Sequence, residues 1–134
     1  MNKLPARITA IHQSGTILLV DAEVDGQGFS ALMIEASDRP DWLNVGNHVS
    51  LVFKETEVSL AKELSGRIST RNRMKCEVSK IDKGELLSMI TLKYKGFSLT
   101  SAITSRSVDM LELEPGDEVE ALVKANEVSL MKTI

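Results

Sequence analysis

The sequence is poor in three things that often decide a small protein's function: it has one cysteine, 4% aromatic residues and no surplus of positive charge. A single cysteine excludes an intrachain disulfide. Cys76 lies between Met74 and Val78 in an alternating segment, which reads as a packing residue in a reducing compartment, so a cytoplasmic protein is expected. With so few aromatics, the core must be built from Val, Ile, Leu, Met and Ala. Lys and Arg number 16 against 19 Asp and Glu, a formal charge of −3. Non-specific nucleic-acid or membrane binding draws on excess positive charge and is not expected. The N-terminal segment has no apolar run longer than Ile17 to Val20, so it reads as neither a signal peptide nor a membrane span.

Catalytic signatures are missing as well. The sequence contains no G-x-S-x-G, no Cys/His pairing, no Gly-rich phosphate loop and no second His or Cys at metal-ligand spacing. No enzyme activity, no cofactor and no direct metal ligand is therefore expected. What is present is an ordinary globular composition, 43% hydrophobic and 26% charged over 134 residues, enough for one unit or for two very small ones packed together.

The chain repeats itself. Gly46 to Lys62, GNHVSLVFKETEVSLAK, recurs as Gly116 to Lys132, GDEVEALVKANEVSLMK, at an offset of 70 residues without a gap. Upstream, Asn2, Ile11 and His12 fall on Asn72, Ile81 and Asp82 at the same offset, whereas Gly28-Phe29 aligns with Gly96-Phe97 at 68. His12 and His48 thus stand where the other repeat has Asp82 and Glu118, and both are expected in solvent. The units are residues 1–63 and 64–134, with residues 63 to 71 joining them.

Alternation and β-branched content predict strands in both units. In the second, Met74, Cys76 and Val78 alternate, then Ser88, Ile90, Leu92 and Tyr94, then Phe97, Leu99, Ser101 and Ile103. A helical turn is predicted at Ser107 to Leu111, a turn at Glu114 to Asp117, and two closing strands around Val119 to Val123 and Val128 to Leu130. The first unit gives strands near 5–12, 16–24, 28–34, 48–54 and 57–61, with a turn at Asp38 to Leu43. Five short strands with a small helix between the third and fourth predict an all-β chain of two tandem OB-like five-stranded barrels.

Three segments supply anion-binding donors. Ser69, Thr70, Arg71 and Asn72 place hydroxyls, a guanidinium and an amide before the first strand of the second repeat. Thr104 and Ser107 stand where a strand passes into the helical turn, so hydroxyls and free backbone amides are expected there. Lys124, Ala125 and Asn126 add a cation and accessible backbone beside a turn. Taken one at a time, these residues read more readily as a helix cap at Ser107, a solvated linker residue at Arg71 and an edge-strand charge at Lys124.

Together, S69-T-R-N72, K80-I-D-K-G84, A102-I-T-S-R-S107, L113-E-P-G-D-E-V119 and V123-K-A-N-E-V-S-L130 resemble the Mop, or molybdate-binding TOBE, family, whose pattern has an S-A-R-N start, an I-T-x-x-S middle and a K-A-S end. The resemblance is close over residues 69 to 132 and weaker over 2 to 62. It implies small OB-like barrels that bind molybdate or tungstate in sites shared between neighbouring Mop units. Carried over residue by residue, the ligand set is Ser69, Arg71, Asn72, Thr104, Ser107, Lys124, the Ala125 backbone and Asn126, which replaces the family's Ser. Arg71 and Lys124 would neutralise the dianion, because a buried dianion without cations and a full donor set is very costly.

The first repeat departs from the pattern. Met1 to Leu4 stands in place of S-A-R-N, and I34-E35-A36-S37 replaces I-T-x-x-S, putting Glu35 where the second repeat has Thr104, a carboxylate that would repel a dianion. Lys54 and Thr56 survive and are expected to form one wall of a site otherwise built by the second repeat. The resemblance implies a cytoplasmic oxyanion store, buffer or sensor that forms homo-oligomers, a trimer or a dimer. The alternatives are the sensor portion of a molybdate-responsive regulator or transporter, an OB-type nucleic-acid module and a protein-interaction domain. A nucleic-acid module would need a basic groove lined with stacking aromatics.

Overall fold

The computed structural model describes residues 1–34 and 39–133. Ten strands are present: β1 (Asn2–Ser14), β2 (Ile17–Val24), β3 (Gln27–Ile34), β4 (His48–Phe53), β5 (Ser59–Ala61), β6 (Asn72–Lys83), β7 (Leu87–Tyr94), β8 (Phe97–Thr104), β9 (Glu118–Val123) and β10 (Ser129–Lys132). One short helix, α1 (Ser105–Met110), follows β8, and 3-10 turns at Glu55–Glu57 and Ala125–Glu127 precede the two closing strands. Residues 35–38, which include the start of the turn expected at Asp38 to Leu43, lie outside the described residues; turns follow at 41–42 and 45–46.

Strand formation follows from period-two burial. On β2, Leu18, Val20, Ala22 and Val24 are buried, and on β7 Ser88, Ile90, Leu92 and Tyr94 are buried while their neighbours face outward. The hairpins between β2 and β3 and between β7 and β8 turn on Asp25-Gly26 and Lys95-Gly96, each with positive φ at both residues (49° and 85°, 47° and 83°). That is the requirement of the tight two-residue turn that matches strand twist. Aligning the two hairpins keeps the offset at 70 and corrects the slip to 68. Phe29 therefore matches Leu99, not Phe97; Phe29 and Leu99 are buried in the core, whereas Phe97 is only half-buried and pairs with Tyr94.

β1 and β6 are the central strands, each pairing antiparallel with two partners. Both carry a register shift at the same place, between Ile8 and Ala10 and between Val78 and Lys80. The extra residue increases local bend and twist, which lets one long strand serve two neighbours around a curved sheet. The turn before the fourth strand is tied back to this bend: Gly46 N–H donates to the Ile8 carbonyl (2.8 Å) and Gly116 N–H to that of Val78 (2.7 Å).

The sheets do not coincide with the sequence repeats. Their strand orders are β10-β4-β1-β2-β3 and β5-β9-β6-β7-β8. Each repeat contributes four strands to its own sheet and sends its last strand to the other one. β10 pairs with β4 through Leu130 and Leu51, and β5 pairs with β9 through Leu60 and Ala121. The all-β fold of two five-stranded units expected from the sequence is present, with the closing strand of each exchanged. Local periodicity finds a strand but cannot say which of two nearly identical edges it will join, since Val52 and Leu122 offer equivalent places.

One continuous core results, running from Leu4 and Ile8 through Phe29 to Tyr94, Met74 and Val123. Phe29 and Tyr94 meet edge to face across the two repeats, centroids 6.3 Å apart. The buried Tyr94 hydroxyl donates to Gln27 Oε1 at 2.6 Å, and the Gln27 amide donates on to the Arg73 carbonyl. Burial pushes the Tyr94 phenol up to about 12 and the Cys76 thiol up to about 11. Both stay neutral at ordinary pH, and Cys76 is the packing residue the alternation predicts.

Candidate functional site

The exchange of closing strands decides which of the anion-binding segments meet. The 3-10 turn following Lys54, which carries Thr56, packs against β8, the strand that ends in Thr104. The turn following Lys124, which carries Ala125 and Asn126, packs against β3 of the first repeat. Within one chain, β8, which leads into Thr104 and Ser107, therefore packs against the turn that follows Lys54, and β3 packs against the turn that follows Lys124. The Glu35-Ala36-Ser37 segment that departs from the family pattern lies outside the described residues.

Thr104 caps α1. Its Oγ1 accepts from the Ser107 N–H at 3.1 Å and lies 2.8 Å from Ser107 Oγ. The cap is Thr104, not Ser107, and it takes up one of the helix-end amides expected to face a ligand. Both hydroxyls keep capacity for a further partner, because each has two lone pairs and one proton. Ser107 opens onto a hollow of about 320 Å³ lined by Ser59, Leu60, Ile103, Met110 and Leu111. Its counterpart, of about 580 Å³, lies at the other end of the pseudo-symmetric molecule and is lined in part by Met33, Asn126, Ser129 and Leu130. Ser59 and Leu60 come from the first repeat, so this hollow is made by both halves.

Lys54 and Thr56 are exposed, as are Lys124 and Asn126, while Ala125 is half-buried. Behind each cation stands a carboxylate. Glu57 Oε1 accepts from the Lys54 N–H at 3.2 Å. Burial, followed by a hydrogen bond with and repulsion from Glu57, holds the Glu127 carboxyl above the usual range, with Lys124 pulling the other way. Glu57 and Glu127 are equivalent residues of the two repeats, so the two turns meet back to back at a pair of acids.

The S69-T-R-N72 segment is divided by the fold. Ser69 and Arg71 are exposed on the connection before β6. Arg71 lines a shallow cavity of about 190 Å³ with Asp21, Glu23 and Ser30 of the first repeat, a setting whose own carboxylates offset its charge. Asn72 is buried and bonds at both ends of its amide to the Ser30 backbone, at 2.9 and 2.8 Å. Asn2, its counterpart, holds Thr100 of β8 in the same way, at 2.8 and 2.8 Å. A side chain so used spends one N–H and its oxygen on holding the edge strand of the other sheet.

Other expectations are readily placed. His12 and His48 are exposed, and His12 Nε2 lies 3.3 Å from Asp21 Oδ2. Among the described residues there is no cluster of three His, Cys, Asp or Glu able to hold a metal ion. Phe29 and Tyr94 are buried, leaving them unable to stack on a nucleobase. No helix among the described residues is long and apolar enough to cross a membrane.

Sequence reasoning missed three residues, Ser88, Ser101 and Ser105. All three hydroxyls are buried, and they anchor the segments around Thr104 and Lys54. The available signal was a serine at a core-facing register where the other repeat has Leu18 and Ala31; the slipped alignment hid part of it.

Known proteins place this architecture. The TOBE domain family matches residues 68–130. The chain is 37% identical over 105 residues to the molybdenum import ATP-binding protein ModC of Brucella abortus, covering 78% of this chain and 28% of that one. It is 34% identical over 108 residues to the molybdenum-pterin-binding protein MopB of Rhodobacter capsulatus, covering 79% and 40%. The chain thus spans well under half the length of these curated relatives. A crystal structure of the cytoplasmic molybdate-binding protein ModG, with molybdate bound, superposes with a TM-score of 0.92 at 30% identity, covering 98% of this chain and 96% of that one. Ten strands in two antiparallel sheets, a repeat at 70 residues and a match to ModG along nearly the whole length make this chain a member of the TOBE/Mop family of molybdate-binding proteins.

Proposed function

We propose that the protein is a cytoplasmic molybdate- or tungstate-binding protein that stores, buffers or senses the oxyanion without transforming it. The similarity to molybdate-loaded ModG over nearly the full length carries this reading. The local chemistry supports it: two hydroxyls stand 2.8 Å apart at Thr104 and Ser107, where the strand that packs against the turn following Lys54 passes into α1. A tetrahedral dianion needs several donors and a cation at once, and this end of the molecule offers both kinds.

The ligand set at this end is Lys54, Thr56, Thr104 and Ser107. The turn packed against β3 offers Lys124, the Ala125 backbone and Asn126, and the exposed Ser69 and Arg71 are available to a neighbouring chain. Asn72 acts from behind by holding β3. Sites between Mop units require more than one chain, and a homo-oligomer, a trimer or a dimer, fits the apolar side chains left exposed at both ends, among them Ile17, Ile34, Leu86, Leu87 and Met110.

The test is calorimetric titration with molybdate, with sulfate and phosphate as separate controls and the mass of the assembly measured alongside. Saturable heat with molybdate alone is expected, and Lys54→Ala should weaken it more than Lys124→Ala. If neither molybdate nor tungstate gives heat or thermal stabilisation, the reading is wrong. A monomer that binds with full stoichiometry would remove the shared-site part of it.

A further inference from the structure

We propose that Ser88, Ser101 and Ser105 are positioning residues that make the Lys54/Thr104 end of the molecule the stronger oxyanion site, a proposal that rests on the oxyanion reading above. All three are buried, at 0%, 0% and 4% exposure, in a core otherwise almost wholly apolar. Burying a hydroxyl is unfavourable unless it is bonded, and each of these either lies on, or is bonded to, a segment that carries a candidate ligand residue.

Ser101 Oγ donates to the Val58 carbonyl at 2.7 Å. Val58 closes the 3-10 turn that begins after Lys54, its own N–H reaching the Glu55 carbonyl. The bond therefore ties the turn of Lys54 and Thr56 to β8. Ser105 Oγ donates to the Gly84 carbonyl at 2.7 Å. Its single proton is used there, so the 2.7 Å contact with Ser88 Oγ must be donated by Ser88. The Ser105 N–H donates to the Leu86 carbonyl at 2.9 Å. Ser105 is thus held on both its backbone and its side chain, and it sits directly between Thr104 and Arg106-Ser107. At Gly84 a Cβ would meet the Leu87 carbonyl oxygen at 2.5 Å, so the acceptor is held in a turn too tight for another residue.

Among the described residues, the equivalent positions of the first repeat carry no such anchors. The counterparts of Ser88 and Ser101 are Leu18 and Ala31, both buried and apolar, and the counterpart of Ser105 is Glu35. Without a hydroxyl at 31, β3 has no side-chain bond to offer the Val128 carbonyl that matches Val58. Pre-set donors bind an anion better than mobile ones because less ordering is required on binding. The asymmetry lies in the buried supports as well as in the exposed ligand residues.

The experiment compares Ser88→Ala and Ser101→Ala with Ile8→Val, a core change in the other sheet chosen to lower thermal stability by a similar amount. Molybdate affinity is measured by calorimetry and backbone amide exchange by mass spectrometry on the full chain. The serine variants should bind molybdate about tenfold more weakly and Ile8→Val within about twofold of wild type. Without ligand, exchange should quicken at residues 104–108 in Ser88→Ala and at 55–58 in Ser101→Ala, and at neither in Ile8→Val. Ser101→Thr, which keeps the hydroxyl, should recover part of the loss. Wild-type affinity in both serine variants, or unchanged exchange in those segments, overturns the proposal. A wild-type protein that ignores molybdate overturns the oxyanion reading instead, while the exchange result still reports whether the serines hold these segments.

Discussion

Asn72 on β6 grips Ser30 on β3 with both ends of its amide, donating to the Ser30 carbonyl at 2.9 Å and accepting from its N–H at 2.8 Å. Ser30 lies on the edge strand of the opposite sheet, so a side chain of one repeat stands in for a neighbouring strand's backbone. Asn2 does the same to Thr100. These paired clasps, with the exchanged strands, bind the two sheets into one body.

Replacing Asn72 with Ala leaves the partly buried Ser30 N–H and carbonyl without their side-chain partner. A loss of about 2 kcal/mol is expected, since each unmet buried group costs roughly 1–3 kcal/mol less whatever water recovers. Urea denaturation should show the midpoint fall with little change in slope. Asn72→Asp should be worse, because a carboxylate faces the Ser30 carbonyl with no donor. A midpoint shift within error for both variants would remove the clasp's importance.

Exchange of β5 and β10 makes the halves depend on each other. Scanning calorimetry should show one transition whose calorimetric and van't Hoff enthalpies agree. A fragment of residues 64–134 lacks β5 and leaves β9 with an open edge, so it should not persist as a folded monomer. Mixing it with residues 1–63 should restore the spectrum of the intact protein. Two separate transitions, or a stable monomeric fragment, would contradict this.

The acid pair at Glu57 and Glu127 should shape the pH profile. Glu127 is held above its ordinary value near 4.5 by burial first and by Glu57 second. The native state therefore keeps a proton the unfolded chain has lost, and stability falls as pH rises through that interval. Glu120, hydrogen-bonded by Arg73, and Asp117, hydrogen-bonded by the Glu114 N–H and Lys62, are held below their ordinary values; their contribution is present at neutral pH and lost on acidification. Glu127→Gln should raise the melting temperature at pH 7 by a few degrees and flatten the decline above 4.5. An unchanged profile would mean the pair is too well solvated to matter.

Cys76 should be silent in the native protein. Its thiol is buried and pushed up to about 11 by that burial, so almost no thiolate exists at pH 7. Labelling with a thiol reagent should proceed only as fast as the chain opens, and should become immediate in denaturant. Rapid labelling of the folded protein would place Cys76 outside the core.

Much of this was legible in the sequence because it depends on short-range rules. Alternation marked Ser88, Ile90, Leu92 and Tyr94 as one inward face, and the burial pattern of β7 matches it. The Glu114 to Asp117 turn and the K-x-x-E-V-S-L endings were visible as punctuation, and the repeat at 70 showed that one design occurs twice. Phe29 was misaligned because Gly-Phe also occurs two residues early in the other hairpin, and only the positive φ of Lys95 and Gly96 settles which glycine makes the turn.

The sequence by itself determined the strands, the repeat and the residue types able to receive an oxyanion, because strand register and turn chemistry are read over a few neighbouring residues. Only the tertiary structure decided the partners. Which edge β5 joins, that the turn following Lys54 packs against β8, and that Asn72 holds a strand all depend on contacts between residues 42 to 98 positions apart. Two repeats with nearly identical edges make those pairings locally equivalent, and packing the whole core at once is what separates them.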